Sequence, residues 1–214
     1  MFTGIVEELG TISNMQKSGE SMKLTITASS ILSDANLGDS IAVNGICLTI
    51  TSFTAHSFTV DVMPETMKST SLRMLNRSSK VNLERAMAAN GRFGGHFVTG
   101  HIDGIGTILN KKQQYNAVYY KIEIPDTLLR YCLQKGSIAV DGTSLTIFDI
   151  DDSSITISLI PHTLSESVLG GKVAGDIVNI ECDMIGKYIE RFVSQPTRQN
   201  NSVTEGFLQE NGFL

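Results

Sequence analysis

The chain has 214 residues, 41% hydrophobic and 18% charged, the make-up of a globular protein with room for one large domain or two small ones. Its net charge is −5, and all of it falls late: residues 1–96 carry 8 Lys or Arg and 8 Asp or Glu, which leaves 9 and 14 for residues 97–214. Such an acidic half, in a chain without tryptophan, argues against a basic nucleic-acid groove lined with stacking aromatics, and no apolar run reaches the roughly 18 residues of a membrane span.

In chain order, FTGIVEELGTI (2–12) is followed by KLTIT (23–27), where Leu24 and Ile26 alternate with Thr25 and Thr27. Period two marks a strand with one face in a core. A short helix is expected near 29–36. SIAVNGICLTI (40–50) contains Asn44-Gly45, a hairpin dipeptide, although the apolar residues around it could also continue as one bulged strand. FTVDVM (58–63) alternates again and stops at Pro64. VNLERAM (81–87) then leads to AANGRFGGH (88–96), whose glycines suit turns.

Beyond that junction the text repeats. VTGHIDGIGTI (98–108) matches the opening at an offset of 96. SIAVDGTSLTI (137–147) agrees with residues 40–50 in eight of eleven letters, and it exchanges Cys47 for Ser144. ITISLIPHT (155–163) matches FTVDVMPET (58–66), and VNIECDM (178–184) matches VNLERAM, both at an offset of 97. KIEI (121–124) alternates like KLTIT, and a second short helix is expected near 126–135. Blocks in the same order at offsets of 96 and 97, one inserted residue apart, mean a duplicated domain rather than a solenoid. Five or six short strands per copy suggest a small closed barrel. After the second copy, Ile185, Tyr188, Ile189, Phe192 and Val193 have helical spacing, which predicts an amphipathic helix ending before Pro196. It either packs on its own chain or forms a seam between copies. The expected divisions are therefore a barrel over 1–95, a barrel over 96–184, a helix over 185–196 and a polar, loose tail over 197–214.

The three cysteines, Cys47, Cys132 and Cys182, are odd in number and form no C-x-x-C, which argues for free thiols in a reducing cytoplasm. No leader-like segment precedes the first motif. Cys47 could be a nucleophile or an inert core thiol; its match with Ser144 favours a polar, ligand-facing position. His96 and His101 are five apart and would face opposite ways on one strand, so no metal site is expected. His101 replaces Ile5 after a shared Thr-Gly, which makes it a candidate acid, base or donor. His56 reads as a surface residue. The loops after Pro64 and Pro161 are candidate ligand loops at a barrel mouth.

Taken together, MFTGIVEE, VNGICLT, DVMPET, VNLERA, FGGHFVTGHID, KGSIAVDG, SLTI and SLIPHT resemble riboflavin synthase of the alpha-chain type, from Met1 to about Phe192. The resemblance implies an all-β protein of two similar six-stranded Greek-key barrels and a C-terminal helix that joins a homotrimer. It implies a transferase without metal or cofactor that dismutates two molecules of 6,7-dimethyl-8-ribityllumazine. The products are riboflavin and 5-amino-6-ribitylamino-2,4(1H,3H)-pyrimidinedione. One substrate would contact Gly4, Ile5, Val6, Ser144, Leu145, Thr146, Ser158, Leu159, Ile160, Pro161, His162 and Thr163. The other would contact Cys47, Leu48, Thr49, Asp61, Val62, Met63, Pro64, Glu65, Thr66, Gly100, His101, Ile102 and Lys135. Phe2 and Thr3 would lie at the reacting centre and Asp183 near the second barrel. Cys47, His101 and Ser144 complete the candidate catalytic set. The site would form between the first barrel of one subunit and the second barrel of a neighbour, and lumazine synthase is a further partner the family suggests.

Two identical substrates with unequal fates need two similar but unequal pockets. Cys47/Ser144, Ile5/His101, Asn44/Asp141 and Glu65/His162 are the matched positions at which the copies differ in chemistry. The rival within the same fold is a non-enzymatic, lumazine-binding antenna, the lumazine protein of luminous bacteria. Such a protein is expected to lose polar motif residues in one half. Here Cys-Leu-Thr, Ser-Leu-Thr and both Pro-x-Thr loops persist.

Overall fold

The period-two stretches become twelve strands in the computed structural model, which describes residues 1–194 and 205–213. The first six are β1 (Glu8–Ser18), β2 (Ser21–Thr27), β3 (Ser40–Val43), β4 (Ile46–Phe53), β5 (Ser57–Val62) and β6 (Lys80–Arg85). The second six are β7 (Gly104–Gln114), β8 (Ala117–Glu123), β9 (Ser137–Val140), β10 (Thr143–Ile150), β11 (Ser154–Leu159) and β12 (Ile177–Cys182). The first set closes antiparallel in the order β1-β2-β5-β4-β3-β6, and the second set closes in the corresponding order. Both are Greek-key barrels. The alternation fills them: Leu24, Ile26, Phe58, Val60 and Val62 point into the first, and Tyr120, Ile122, Ile155, Ile157 and Leu159 into the second. Each such side chain is worth about 1.5–3 kcal/mol on leaving water. Register shifts at Ile12/Asn14 and Ile50/Ser52 recur at Ile108/Asn110 and Ile147/Asp149, so the copies also bend alike.

Asn44-Gly45 and Asp141-Gly142 are two-residue hairpins, with all four residues at positive φ. The helices differ from expectation. Residues 29–36 hold only a 3-10 turn at Ser30–Leu32, and 126–135 hold α2 (Asp126–Leu129). Pro64 and Pro161 do not merely stop strands; they open α1 (Pro64–Ser69) and α3 (Pro161–Ser165) from the first turn, where a missing N–H leaves nothing unsatisfied. Both barrels lie in one compact unit, Met1–Met184, and Ile185–Leu214 form a second. The helix α4 (Met184–Val193) carries the predicted amphipathic pattern, with Ile185, Tyr188, Ile189, Phe192 and Val193 all exposed. Of the stretch expected as a loose tail, 197–204 and 214 lie outside the described residues, and 205–213 include a short helix, α5 (Glu205–Glu210). Residues 195 and 196, where α4 was expected to end, also lie outside them.

The barrels meet back to back at the two hairpins. A Cβ on Gly45 would stand 2.7 Å from Gly142 N, and one on Gly142 would stand 2.6 Å from Gly45 N. Neither position accepts a side chain. Around this contact, buried asparagines bridge the copies, because one amide can both donate and accept. Asn82 Nδ2 donates to the Asp141 carbonyl at 2.8 Å, and Asn179 Nδ2 donates to the Asn44 carbonyl at 2.9 Å. Their Oδ1 atoms accept from Val168 N and Ser71 N, again across the joint. One matched pair is unequal. Asn44 accepts from Asn82 N, while its counterpart Asp141 accepts from Asn179 N and also lies 3.4 Å from Lys172 Nζ. Lys172 corresponds to Leu75 of the first copy. Burial pushes the Asp141 carboxyl above its ordinary value, and Lys172 acts against that rise.

A buried charge left alone costs up to about 3–5 kcal/mol. Lys172→Leu should therefore lower the unfolding free energy measured in urea. The loss should deepen as pH rises, because a carboxyl whose folded pKa is raised contributes stability at low pH that is lost once it ionises. Asp141→Asn with Lys172→Leu recreates the Asn44 and Leu75 pair and should restore stability and flatten its pH dependence.

Candidate active site

Two extended segments, residues 2–5 and 98–101, run antiparallel between the barrels. Phe2 N donates to the Val98 carbonyl at 2.7 Å and Val98 N to the Phe2 carbonyl at 3.2 Å. Each segment is anchored by a buried carboxylate on its own barrel. Glu84 accepts from Thr3 N at 2.7 Å, Thr3 Oγ1 at 2.7 Å and Gly4 N at 3.0 Å. Glu181 accepts from Thr99 N at 2.6 Å, Thr99 Oγ1 at 2.7 Å and Gly100 N at 3.0 Å. Burial raises the Glu84 pKa, and the bonds from Thr3 and Gly4 oppose the rise.

Each segment then crosses to the opposite barrel. The Gly4 carbonyl accepts from Ser144 N on β10 at 2.7 Å, and the Gly100 carbonyl accepts from Cys47 N on β4 at 2.9 Å. Only glycine allows this approach. Both have positive φ, and a Cβ on either would lie 2.6 Å from the Cβ of Ser144 or Cys47.

The crossing brings together residues far apart in sequence. Gly4, Ile5, Val6, Ser144, His162 and Thr163 line one cavity of about 160 Å³, with Thr143, Glu166 and Ser167. Ser158 and Leu159 end β11, Ile160 links it to Pro161 at the start of α3, and Leu145 and Thr146 continue β10. At the other crossing Gly100 of the second copy lies against Cys47 of the first, followed by the exposed His101. Asp61 to Thr66 run from the end of β5 into α1, and Leu48 and Thr49 follow Cys47 on β4. Several side chains of the candidate set are turned into the protein interior. Leu48, Val62 and Leu159 are core residues, and Ile102 packs on the first core. Phe2 is fully enclosed beside Ala42, Cys47, Val98 and Ala139. Thr3 is buried, its hydroxyl held by Glu84. Lys135 stands apart from Cys47: its N bonds the Ile147 carbonyl and its Nζ lies 4.5 Å from the Phe148 ring, both in the second barrel.

Glu84, Glu181 and His96 had no place among the candidate residues. The two glutamates carried a signal, since the copies keep an acid at one position of an otherwise buried strand. His96 is buried, and its Nδ1 lies 2.7 Å from Ser144 Oγ. Burial lowers its pKa, and the Asp183 carboxylate acts the other way.

A family model for the lumazine binding domain matches the chain twice, over residues 3–86 and 99–183. The chain is 59% identical over 215 residues to riboflavin synthase of Bacillus amyloliquefaciens and of Bacillus subtilis (strain 168), with 100% of each chain covered. It is 53% identical to riboflavin synthase of Actinobacillus pleuropneumoniae, again over 100% of both. Two duplicated lumazine-binding domains at this similarity show that the chain belongs to the riboflavin synthase family. Among solved structures, LumP complexed with 6,7-dimethyl-8-(1'-D-ribityl) lumazine superposes with a TM-score of 0.77 at 29% identity, covering 85% of this chain and 98% of that one. LumP complexed with riboflavin gives 0.78 at 30%, covering 85% and 99%.

The Glu84 anchor can be tested by Glu84→Gln. The amide keeps the shape but turns a donor toward backbone N–H groups, and an unsatisfied buried group costs about 1–3 kcal/mol. Stability should fall by that amount, and hydrogen exchange at Thr3 and Gly4 should accelerate well beyond the change at β6.

Proposed function

We propose that each barrel mouth holds one 6,7-dimethyl-8-ribityllumazine and that the pair is dismutated to riboflavin and 5-amino-6-ribitylamino-2,4(1H,3H)-pyrimidinedione. The observation that carries this reading is the doubled crossing, with a Thr-Gly segment from one copy laid against Cys47 and the matched segment laid against Ser144. Two like surfaces suit two like substrates. The two products contain all the atoms of two substrates, so the transfer of a four-carbon unit needs no outside oxidant or reductant. Holding both rings in register can supply roughly 7–11 kcal/mol, the larger part of what a reaction without a cofactor requires.

Differences between the copies assign the roles. His101, exposed after Gly100, assists proton removal from the acidic methyl group of a bound lumazine. Cys47 or Ser144 adds to a ring carbon or orients a water that does so. The candidate contacts Cys47 to Thr49 and Asp61 to Thr66 of the first copy, with Gly100 to Ile102 crossing from the second, belong to one substrate. Gly4 to Val6, Ser144 to Thr146 and Ser158 to Thr163 belong to the other. Lys135 is read as reaching the first-barrel substrate of a neighbouring subunit, because its own contacts keep it in the second barrel. That arrangement calls for an oligomer. The exposed apolar face of α4, over Ile185, Tyr188, Ile189, Phe192 and Val193, supports a homotrimer seam. Among the described residues no helix is long and apolar enough to cross a membrane; a cytoplasmic place rests on the cysteine pattern and an association with lumazine synthase on the sequence resemblance. The expected divisions, 1–95, 96–184, 185–196 and 197–214, remain the proposed ones.

Incubation with the lumazine, followed by mass spectrometry, should yield both products in equal amounts, whereas an antenna protein would return the lumazine unchanged. In the same assay Cys47→Ser should slow formation of yellow product at least about tenfold; an unchanged rate would make Cys47 a packing residue. Mixing Cys47→Ser with Ser144→Ala under subunit exchange should recover part of the activity if sites form between chains, and sedimentation should give three chains per particle.

A further inference from the structure

Strands β6 and β12 match residue for residue, and at their last position Arg85 is answered by Cys182. In the first copy the Arg85 guanidinium reaches Asp34, with Nη1 2.6 Å from Oδ1. That ion pair ties the end of β6 to the segment leading into β3. The offset of 97 carries Asp34 and Ala35 onto Tyr131 and Cys132. Tyr131 and Cys182 cannot repeat the ion pair, and two thiols meet instead. Cys132 Sγ lies 3.6 Å from the Leu128 carbonyl oxygen, and Cys182 Sγ lies 3.8 Å from the same atom. The two thiols also hydrogen-bond to one another. Where Ala35 and Arg85 line a cavity of about 160 Å³, Cys132 and Cys182 are packed in the core of the second barrel. A single buried cysteine is most often an inert small hydrophobe. A pair in contact is different, because a disulfide requires two sulfurs already brought close. The pair is also unequal. Cys132 is 8% exposed and Cys182 1%, so a small oxidant meets Cys132 first. The bond from Cys182 holds the Cys132 thiol below its ordinary pKa, against the effect of burial, and the thiolate is the reactive form.

We propose that Cys132 and Cys182 are an oxidation site that closes to a disulfide with hydrogen peroxide as the oxidant, and that the disulfide makes in the second copy the tie that Arg85 and Asp34 make in the first. The Cys132 sulfur attacks the peroxide: an S–O bond forms, the O–O bond breaks, and the leaving hydroxide takes the thiol proton to become water. Cys182 then attacks the oxidised sulfur. An S–S bond forms, the S–O bond breaks, and the second hydroxide leaves as water with the Cys182 proton. The two sulfurs lose two electrons and the two peroxide oxygens gain them. The new tie falls one residue from Glu181, whose carboxylate holds Thr99 and Gly100. Closing it stiffens the anchor of the second crossing segment. In a reducing compartment such a bond is transient, and thiol reductants reopen it. Nothing in the proposal depends on the reaction assigned above.

The folded, full-length protein is treated with a small molar excess of hydrogen peroxide, alkylated and mapped by mass spectrometry. Most chains should yield a cross-linked peptide joining Cys132 to Cys182, and dithiothreitol should abolish it. In the oxidised protein, hydrogen exchange at Thr99 and Gly100 should slow at least about threefold, with Thr3 and Gly4 unchanged as the matched control. Cys132→Ala places there the residue found in the first copy. It should give no cross-link, and peroxide should leave its exchange at Thr99 and Gly100 unaltered. Recovery of both cysteines as alkylated thiols, their oxidation to separate sulfinic acids, or a cross-link that forms only in urea would each overturn the site. A cross-link with unchanged exchange at Thr99 would overturn the tie. Should Cys132→Ala fail to fold, the peptide map and the exchange rates of the wild type decide alone.

Discussion

A carboxyl group taken out of water is costly unless hydrogen bonds replace the lost hydration. Glu84 and Glu181 meet that demand by taking two backbone N–H groups and a threonine hydroxyl apiece. The segments so held have carbonyls free to accept from the opposite barrel, and Ser144 N and Cys47 N donate to them. The surface of each barrel around Ser144 or Cys47 is thereby completed by chain anchored on the other. The positions of Ile5, His101 and His96 all follow from those two anchors.

The joint between the barrels imposes near-symmetry. Gly45 and Gly142 leave no space for side chains, and Asn82 and Asn179 repeat one another's bonds across the contact. Against that background the inequalities stand out. At the joint, Asn44 and Leu75 are answered by Asp141 and Lys172. At the crossing, a thiol against an apolar cluster is answered by a hydroxyl against a histidine. The first inequality is a matter of stability in a buried place. The second lies beside the cavity and bears on chemistry.

The barrels were legible because burial acts at period two: Leu24, Ile26, Phe58, Val60 and Val62 needed only an inside and an outside. The hairpins were legible because Asn-Gly and Asp-Gly tolerate positive φ. The repeat itself marks the matched segments around Cys47 and Ser144. What stayed hidden depended on partners distant in sequence. Thr3 meets Glu84 and Thr99 meets Glu181 some 80 positions away, and Ser144 lies 48 positions from His96. No local pattern records such bonds. In sequence the neighbouring histidine of His96 is His101, whereas its hydrogen-bond partner is Ser144. Pro64 and Pro161 were read as strand ends because the helices they begin are too short to show a 3.6-residue period.

Burial also divides the candidate residues by what they can do. Leu48, Val62 and Leu159 belong to the cores and can touch a ligand only through their backbones. Backbone contacts are nearly the same in both copies, so they suit what the two guests share. His101, Ile5, Glu65 and His162 are exposed, and these are places where the copies differ. Discrimination between two chemically identical molecules must come from side chains of that kind. A protein that holds like guests in like cradles can assign them different fates only where the cradles' exposed groups are unlike, and here those groups sit on or beside the crossing strands and the two proline-led helices.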